Sequence, residues 1–367
     1  MDSIVDEALS QTKNKASEGS GKEEGAQDLS TEDEDLREVL ADLKTDIKIV
    51  GVGGAGCNTV ERISEEGIKG AKLVAANTDA QHLLTVHSQR KVLLGKRKTR
   101  GLGAGALPQV GQEATEEARE KIENILEGSD MVFVTCGLGG GTGTGGAPVV
   151  AEIAKSKGAL TVAICTTPFE AEGQSRMQNA EWGLKRLKKV ADTVITIPND
   201  KLLDLCPRLS LNRAFKVADE VLSRSIRGIT ELVTKPGLVN LDFNDLKTVM
   251  EGAGVAMIGM GEDDSENRAE KAIEEAIDSP LLEVDISNAN AALINVVGGS
   301  DMTVSEAEKA AKTVERKIGQ DARIIWGASV EPNQEKTLKV MVVITGVESK
   351  QIFGGEVSTE EDIETVA

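Results

Sequence analysis

Apolar positions along the chain fall into short, nearly continuous runs separated by amphipathic stretches. The first run, IKIVGVGG from Ile47, predicts a buried strand entering a glycine turn. The runs KLVAANTD, RKVLLG, MVFVTCG, ALTVAICTTP and DTVITIPND predict further strands, and EATEEAREKIENILEG, from Glu113 to Gly128, predicts a helix between two of them. Such alternation implies an α/β fold with a mainly parallel, Rossmann-like sheet covered on both faces, and ligands at the carboxyl ends of the strands. A longer amphipathic pattern, from about Leu211 to Val233, predicts a long central helix closed by the breaker Lys235-Pro236-Gly237. Beyond it, helical patterns around Asp245 to Glu251 and Glu266 to Ile277 are followed by strand patterns near Asn290 to Val297, Asp321 to Ala328 and Thr337 to Thr345. These predict a second, smaller α/β domain.

The two ends read differently. Residues 1–45 mix Ser, Gly, Glu, Asp and Gln with few large apolar residues and are expected to form a disordered acidic arm, although LREVLADLK, from Leu36, has helical spacing. Residues 347–367 are acidic and expected to be a flexible tail. The intervening boundaries are expected at 46–210 for the first domain, 211–235 for the central helix and 236–346 for the second domain. The chain of 367 residues carries a net charge of −19, of which −8 falls in residues 1–45 and −5 in residues 347–367. That balance argues against general affinity for nucleic acid or anionic lipid. Aromatic residues make up 2% and tyrosine is absent, which argues against aromatic stacking surfaces for oligonucleotides or sugars. No run reaches the length of a membrane span and no signal stretch opens the chain, so a soluble, cytoplasmic protein without membrane insertion is expected. Cys57, Cys136, Cys165 and Cys206 fit neither a zinc pattern nor a disulfide frame and are expected to be reduced, mostly buried thiols. His82 and His87 lack partners at ligand spacing, so a metal would arrive with a ligand.

Two glycine loops carry the chemistry. Gly51-Val52-Gly53-Gly54-Ala55-Gly56 matches GxGxxG between a strand and a helix, the pattern that lets backbone approach a pyrophosphate. Alone it is compatible with an NAD(P)-dependent oxidoreductase, with Asp79 as the ribose acid, or with a purely structural turn. The second loop, from Gly137 to Gly145 (GLGGGTGTG), also follows a strand and precedes a helix-forming run near Pro148. A dinucleotide fold has no use for it. Its glycines form a nest of N–H groups suited to phosphate oxygens, and the absence of a following lysine separates it from a P-loop.

The GGGTGTG run resembles the signature of the tubulin/FtsZ superfamily. The segments GVGGAGCN, AANTDAQ, GLGAG, TTPFEAEGQSRM, TIPNDKLL and KPGLVNLDFNDLKTVM are similar, in order, to motifs of its FtsZ family, and the long acidic arm is more like archaeal members. The resemblance covers roughly residues 46–346. It implies a GTPase that forms head-to-tail filaments and the division ring at mid-cell, binding GTP or GDP with Mg²⁺. A related role in cell shape or partition is the third reading. By motif, Gly54, Ala55, Gly56, Cys57 and Asn58 would line the first loop, and Gly140, Gly141, Thr142, Gly143 and Thr144 would cradle the phosphates. Glu172 and Arg176 match residues at the sugar and phosphates, and Asn199, Phe215 and Asp219 match the nucleoside end. A carboxylate such as Asp219 can accept from both N1–H and the exocyclic amine of guanine, which adenine cannot offer. The expected partners are other copies of the chain and membrane-tethering or regulatory division proteins of unknown identity, since no bacterial-type tail peptide is evident.

The hydrolytic residues implied are Asn240, Asp242 and Asp245, in NLDFND beyond the long helix. A helix of about 23 residues spans roughly 35 Å, so these groups should lie far from the phosphates of their own subunit. The resemblance implies that they enter the next subunit's site. Two acids at a helix start also have a local role, because they favour its dipole.

Overall fold

The computed structural model describes residues 45–205, 210–235, 237–279, 281, 286, 289–318, 322–331, 334 and 336–347. Residues 1–44 of the expected arm, 348–367 of the expected tail, Cys206 and Pro236 lie outside the described residues.

The predicted runs form strands β1 (Ile47–Val52), β2 (Ala71–Asn77), β3 (Arg90–Leu93), β4 (Met131–Gly137), β5 (Leu160–Thr167) and β6 (Thr193–Pro198), all paired in parallel in the order β3-β2-β1-β4-β5-β6. Alternate residues of each strand face opposite layers. Ile47 and Ile49 of β1, with Met131 and Phe133 of β4, pack beneath helix α1 (Gly53–Glu65) and the central helix. Val50, Val52, Val132 and Val134 pack on the other face, with Val150, Ile153, Leu184 and Leu187. The sheet is thus buried on both sides, as a parallel sheet requires.

Between β2 and β4 lie α2 (Ala80–Thr85), α3 (Pro108–Glu117) and α4 (Arg119–Leu126). The single helix expected from Glu113 to Gly128 is broken at Ala118, which leaves helical geometry at φ −100° and ψ 7°. Its two parts answer to different neighbours. Gly111 of α3 sits against the Gly141 carbonyl, whereas Ile122 and Leu126 of α4 join the sheet core. Next come α5 (Thr142–Ser156), a 3-10 turn at Glu170–Glu172, α6 (Gln174–Val190), α7 (Asn199–Leu205) and the central helix α8 (Leu211–Thr234). α8 buries Leu222, Ile226 and Ile229 and runs toward the amino ends of the strands, where Thr234 meets Gly70 just before β2.

After α9 (Phe243–Met250), strand β7 (Gly254–Asp263) extends the same sheet through parallel pairing of Thr193–Ile195 with Gly254–Ala256. β7 was not anticipated, because Gly254, Gly259 and Gly261 interrupt its apolar run. α10 (Arg268–Ile277), β8 (Ala291–Gly298), α11 (Val304–Lys317), β9 (Arg323–Val330) and β10 (Leu338–Thr345) complete a ten-stranded sheet, continuing β7-β10-β8-β9. The two halves are therefore joined both by α8 and through the sheet. Among the described residues no helix is long and apolar enough to cross a membrane.

Candidate functional site

Both glycine loops prove to be helix starts. α1 begins at Gly53 and α5 at Thr142, so most of the glycines lie in or beside a first helical turn, and α5 starts six residues before the run expected near Pro148. Neither helix has a side-chain cap or an acidic residue in its first turn. Their leading N–H groups have no intrahelical acceptor, and the dipoles of both helices favour negative charge there. The two starts interlock: Gly53 takes φ +76°, and a side-chain carbon on it would lie 2.8 Å from the Gly143 nitrogen. Only glycine fits that approach. Gly54 is exposed, and a carbon on Gly54 or Gly140 would meet no heavy atom within 4 Å, so the cradle is open at those positions.

Side chains around the cradle divide into those that face outward and those that hold shape. Thr144 is fully buried and its hydroxyl accepts from the Gly139 N–H at 2.9 Å, so it braces the loop. Thr142 is half-buried, its hydroxyl 2.6 Å from that of Thr78. The Cys57 thiol is turned into the core, 3.9 Å from the Gly51 carbonyl and 3.8 Å from that of Ala76, and burial pushes it up to about 12. It lines the loop only through its backbone. Asn58 is exposed, with Oδ1 3.0 Å from His82 Nε2, while His82 Nδ1 lies 3.3 Å from Asn77 Nδ2; a neutral ring protonated at Nε2 satisfies both. Asp79 Oδ1 accepts from the Gln81 and His82 N–H groups as the cap of α2.

Glu172 and Arg176 pair at 2.7 Å, and the other Glu172 oxygen accepts from the Phe169 N–H at 3.0 Å. A side-chain carbon on Gly139 would lie 3.1 Å from the Arg176 carbonyl oxygen, which puts the start of α6 directly beside the second glycine loop. Phe169 is buried and meets Phe215 edge to face at 5.2 Å and 82°. Phe215 keeps 38% of its surface exposed, so one apolar face is braced from behind and open in front. Asp219, four residues on, lies on the same face of α8. Burial pushes its carboxyl up to about 6, with Arg62 of α1 acting in the opposite direction. Asn199 at the start of α7 is buried, and its Oδ1 has no hydrogen-bond partner. An orphaned buried acceptor, an open stacking face and converging N–H groups together suit a purine nucleoside phosphate.

The acidic loop is elsewhere. Asp242 and Asp245 are exposed and form the capping box of α9: Asp242 Oδ1 accepts from the Asp245 N–H at 2.8 Å and Asp245 Oδ2 from the Asp242 N–H at 3.4 Å. Asn240 Oδ1 accepts from the Gly237 N–H. All three follow the end of α8 that lies near the amino ends of the strands, whereas the cradle is at their carboxyl ends. A helix of 24 residues spans about 36 Å. Besides the dipole role expected of them, the two acids therefore cap α9. Sequence reasoning missed Thr78 and Asn179; the only signal for the latter was its spacing of three from Arg176 on one helix.

Of the four cysteines, Cys57, Cys136 and Cys165 are free and buried.

Comparisons with known proteins agree with this geometry. The family model described as the GTPase domain of the Tubulin/FtsZ family matches residues 46–207, and that of the FtsZ family C-terminal domain matches residues 254–348. The chain is 58% identical to the cell division protein FtsZ of Haloferax mediterranei over the full length of both, and 57% identical to cell division protein FtsZ 1 of Archaeoglobus fulgidus over 96% of this chain and 95% of that one. It superposes on an empty FtsZ dimer from M. jannaschii with a TM-score of 0.83 at 51% identity, covering 91% of this chain and all of that one. A GTPγS-bound protofilament of CetZ2 from Haloferax volcanii, at 24% identity and a TM-score of 0.72 over 83% of this chain and 94% of that one, shares the fold alone. With both family models matched in order and relatives aligned end to end, the chain belongs to the FtsZ family of tubulin-like, GTP-hydrolysing cell-division proteins.

Proposed function

We propose that this GTPase works as a head-to-tail homopolymer whose active site is completed by the acidic loop of the next subunit. The observation that carries the reading is the separation of its two parts: paired, uncapped helix starts at one end of α8, and exposed Asp242 and Asp245 at the other. Neither part is a complete hydrolytic site, and a surface at one end that complements the other generates an open filament. In this reading Gly54 to Asn58 and Gly140 to Thr144 hold the nucleotide, with Thr144 and Cys57 acting through shape and backbone. Glu172 and Arg176 bound the sugar and phosphates. Phe215, Asn199 and Asp219 take the base. Asp242, Asp245 and Asn240 orient the attacking water in the neighbour's site. The donors of the cradle are N–H groups and a hydroxyl, which suit phosphate oxygens; a Mg²⁺ ion carried on those oxygens would spread their charge. Assembly in the cytoplasm at a mid-cell ring, with separate proteins as membrane tethers, completes the proposal.

Sedimentation with electron microscopy tests it. GTP, but not ATP, should produce filaments, and Asp245→Ala should assemble as readily while releasing little phosphate. An Asp245→Ala protein that hydrolyses GTP at the wild-type rate would contradict the trans arrangement.

A further inference from the structure

Asn179 of α6 occupies the point where three parts of the nucleotide end meet. Its amide nitrogen donates to the Gly139 carbonyl of the phosphate loop at 3.2 Å and to the Ala106 carbonyl of the 101–107 loop at 3.0 Å. α6 is held close enough for this by Gly183, one turn further on, where a side-chain carbon would lie 2.6 Å from the Thr144 methyl. The two loops also touch each other directly, since a carbon on Gly141 would run into the Gly105 carbonyl. At the far side of the 101–107 loop, the Thr78 carbonyl accepts from the Gly103 N–H at 3.2 Å, and the Thr78 hydroxyl reaches Thr142.

We propose that Asn179 is a positioning residue of the nucleotide site: it orients the peptide between Gly139 and Gly140 so that the Gly140 N–H is presented to phosphate. The inference rests on the phosphate-loop reading above. In a planar trans peptide the carbonyl and the following N–H point in opposite directions. Pinning the Gly139 carbonyl onto α6 therefore turns the Gly140 N–H away from α6. Gly140 is where the loop is open, with no heavy atom within 4 Å of a side-chain carbon. The second donor hydrogen of the amide fastens the neighbouring 101–107 loop, so one side chain sets the spacing of both. A carboxamide is suited to the task because it supplies two N–H donors in one plane.

The test compares Asn179→Ala and Asn179→Asp with wild type, in GTP binding to the full chain and in melting of the nucleotide-free protein. Aspartate has the same shape as asparagine but sets an oxygen against two carbonyl oxygens. A space-filling role would leave it harmless. The positioning role predicts that Asn179→Ala raises the GTP Kd about five- to tenfold and that Asn179→Asp raises it further, while the rate at saturating GTP and assembled protein changes by less than about twofold. The nucleotide-free melting temperatures should differ by no more than about 3 °C. Wild-type affinity in Asn179→Asp would overturn the role of Asn179, as would a fall in saturated rate with Kd unchanged. Failure of wild type itself to bind GTP would instead remove the phosphate-loop reading on which the proposal stands.

Discussion

Asp219 answers to two opposed requirements. Burial pushes its carboxyl from 3.8 up to about 6, while the proposed pairing with guanine requires it ionised. Its folded pKa lies above its unfolded value, so the folded chain holds the proton longer; the charge weighs against folding increasingly between about pH 4 and 6, and fully above that. For the ligand the sign is reversed. GTP affinity should hold above about pH 6.5 and fall below pH 6, approaching tenfold per unit. Titrating GTP competition between pH 5 and 8 checks this, and an affinity flat down to pH 5 would rule out an ionised Asp219 at the base. Asp219→Asn should melt higher than wild type at pH 7 yet lose its preference for GTP over ATP.

The glycines separate in the same way. A serine at Gly141 would run into the Gly105 carbonyl and the Ala104 backbone, so Gly141→Ser should lower the melting temperature as well as GTP affinity. Gly140→Ser adds its side chain where no atom stands in the way and should impair GTP binding with melting nearly unchanged. Calorimetry beside a binding titration distinguishes the two. The glycine run itself was legible in the sequence. Which glycine meets protein and which meets open space was not, because that depends on the 101–107 loop folding back over Gly141.

Among the elements, α9 tests how far a catalytic reading can be separated from a local one. Asp242 caps that helix, so Asp242→Ala should cost about 1 kcal/mol of stability whatever its part in hydrolysis. Asp242→Ser keeps a capping oxygen and should restore most of that stability without restoring phosphate release. Melting and GTPase assays of both variants decide it: a serine variant with wild-type turnover would leave Asp242 a cap and nothing more. The same mixture of signals explains which elements could be read in advance. β1, β2, β4, β5 and β6 were plain because their apolar runs are nearly continuous, and α8 because its pattern persists for six turns. β7 was hidden by its glycines, and α5 by a first turn made of residues that ordinarily mark a loop. The break at Ala118 has no local signature, since it is set by what α3 and α4 each pack against.

Taken together, on the proposed reading the fold presents an incomplete site at each end of α8. One end offers uncapped helix N–H groups, which would bind phosphate without burying a charge; the other displays carboxylates that cap a helix and remain exposed. The sequence already implied this polarity, because helix length alone separates Gly143 from Asp245 by a span no side chain crosses. What it could not reveal was that the halves also share one continuous sheet through β6 and β7, which ties both ends to a common rigid layer. Turnover as a function of protein concentration bears on the trans site most directly. GTPase activity per subunit, measured at saturating GTP from nanomolar to micromolar protein, should rise steeply with assembly and be nearly absent in dilute monomer. A rate per subunit that stays constant across that range would put hydrolysis inside the single subunit.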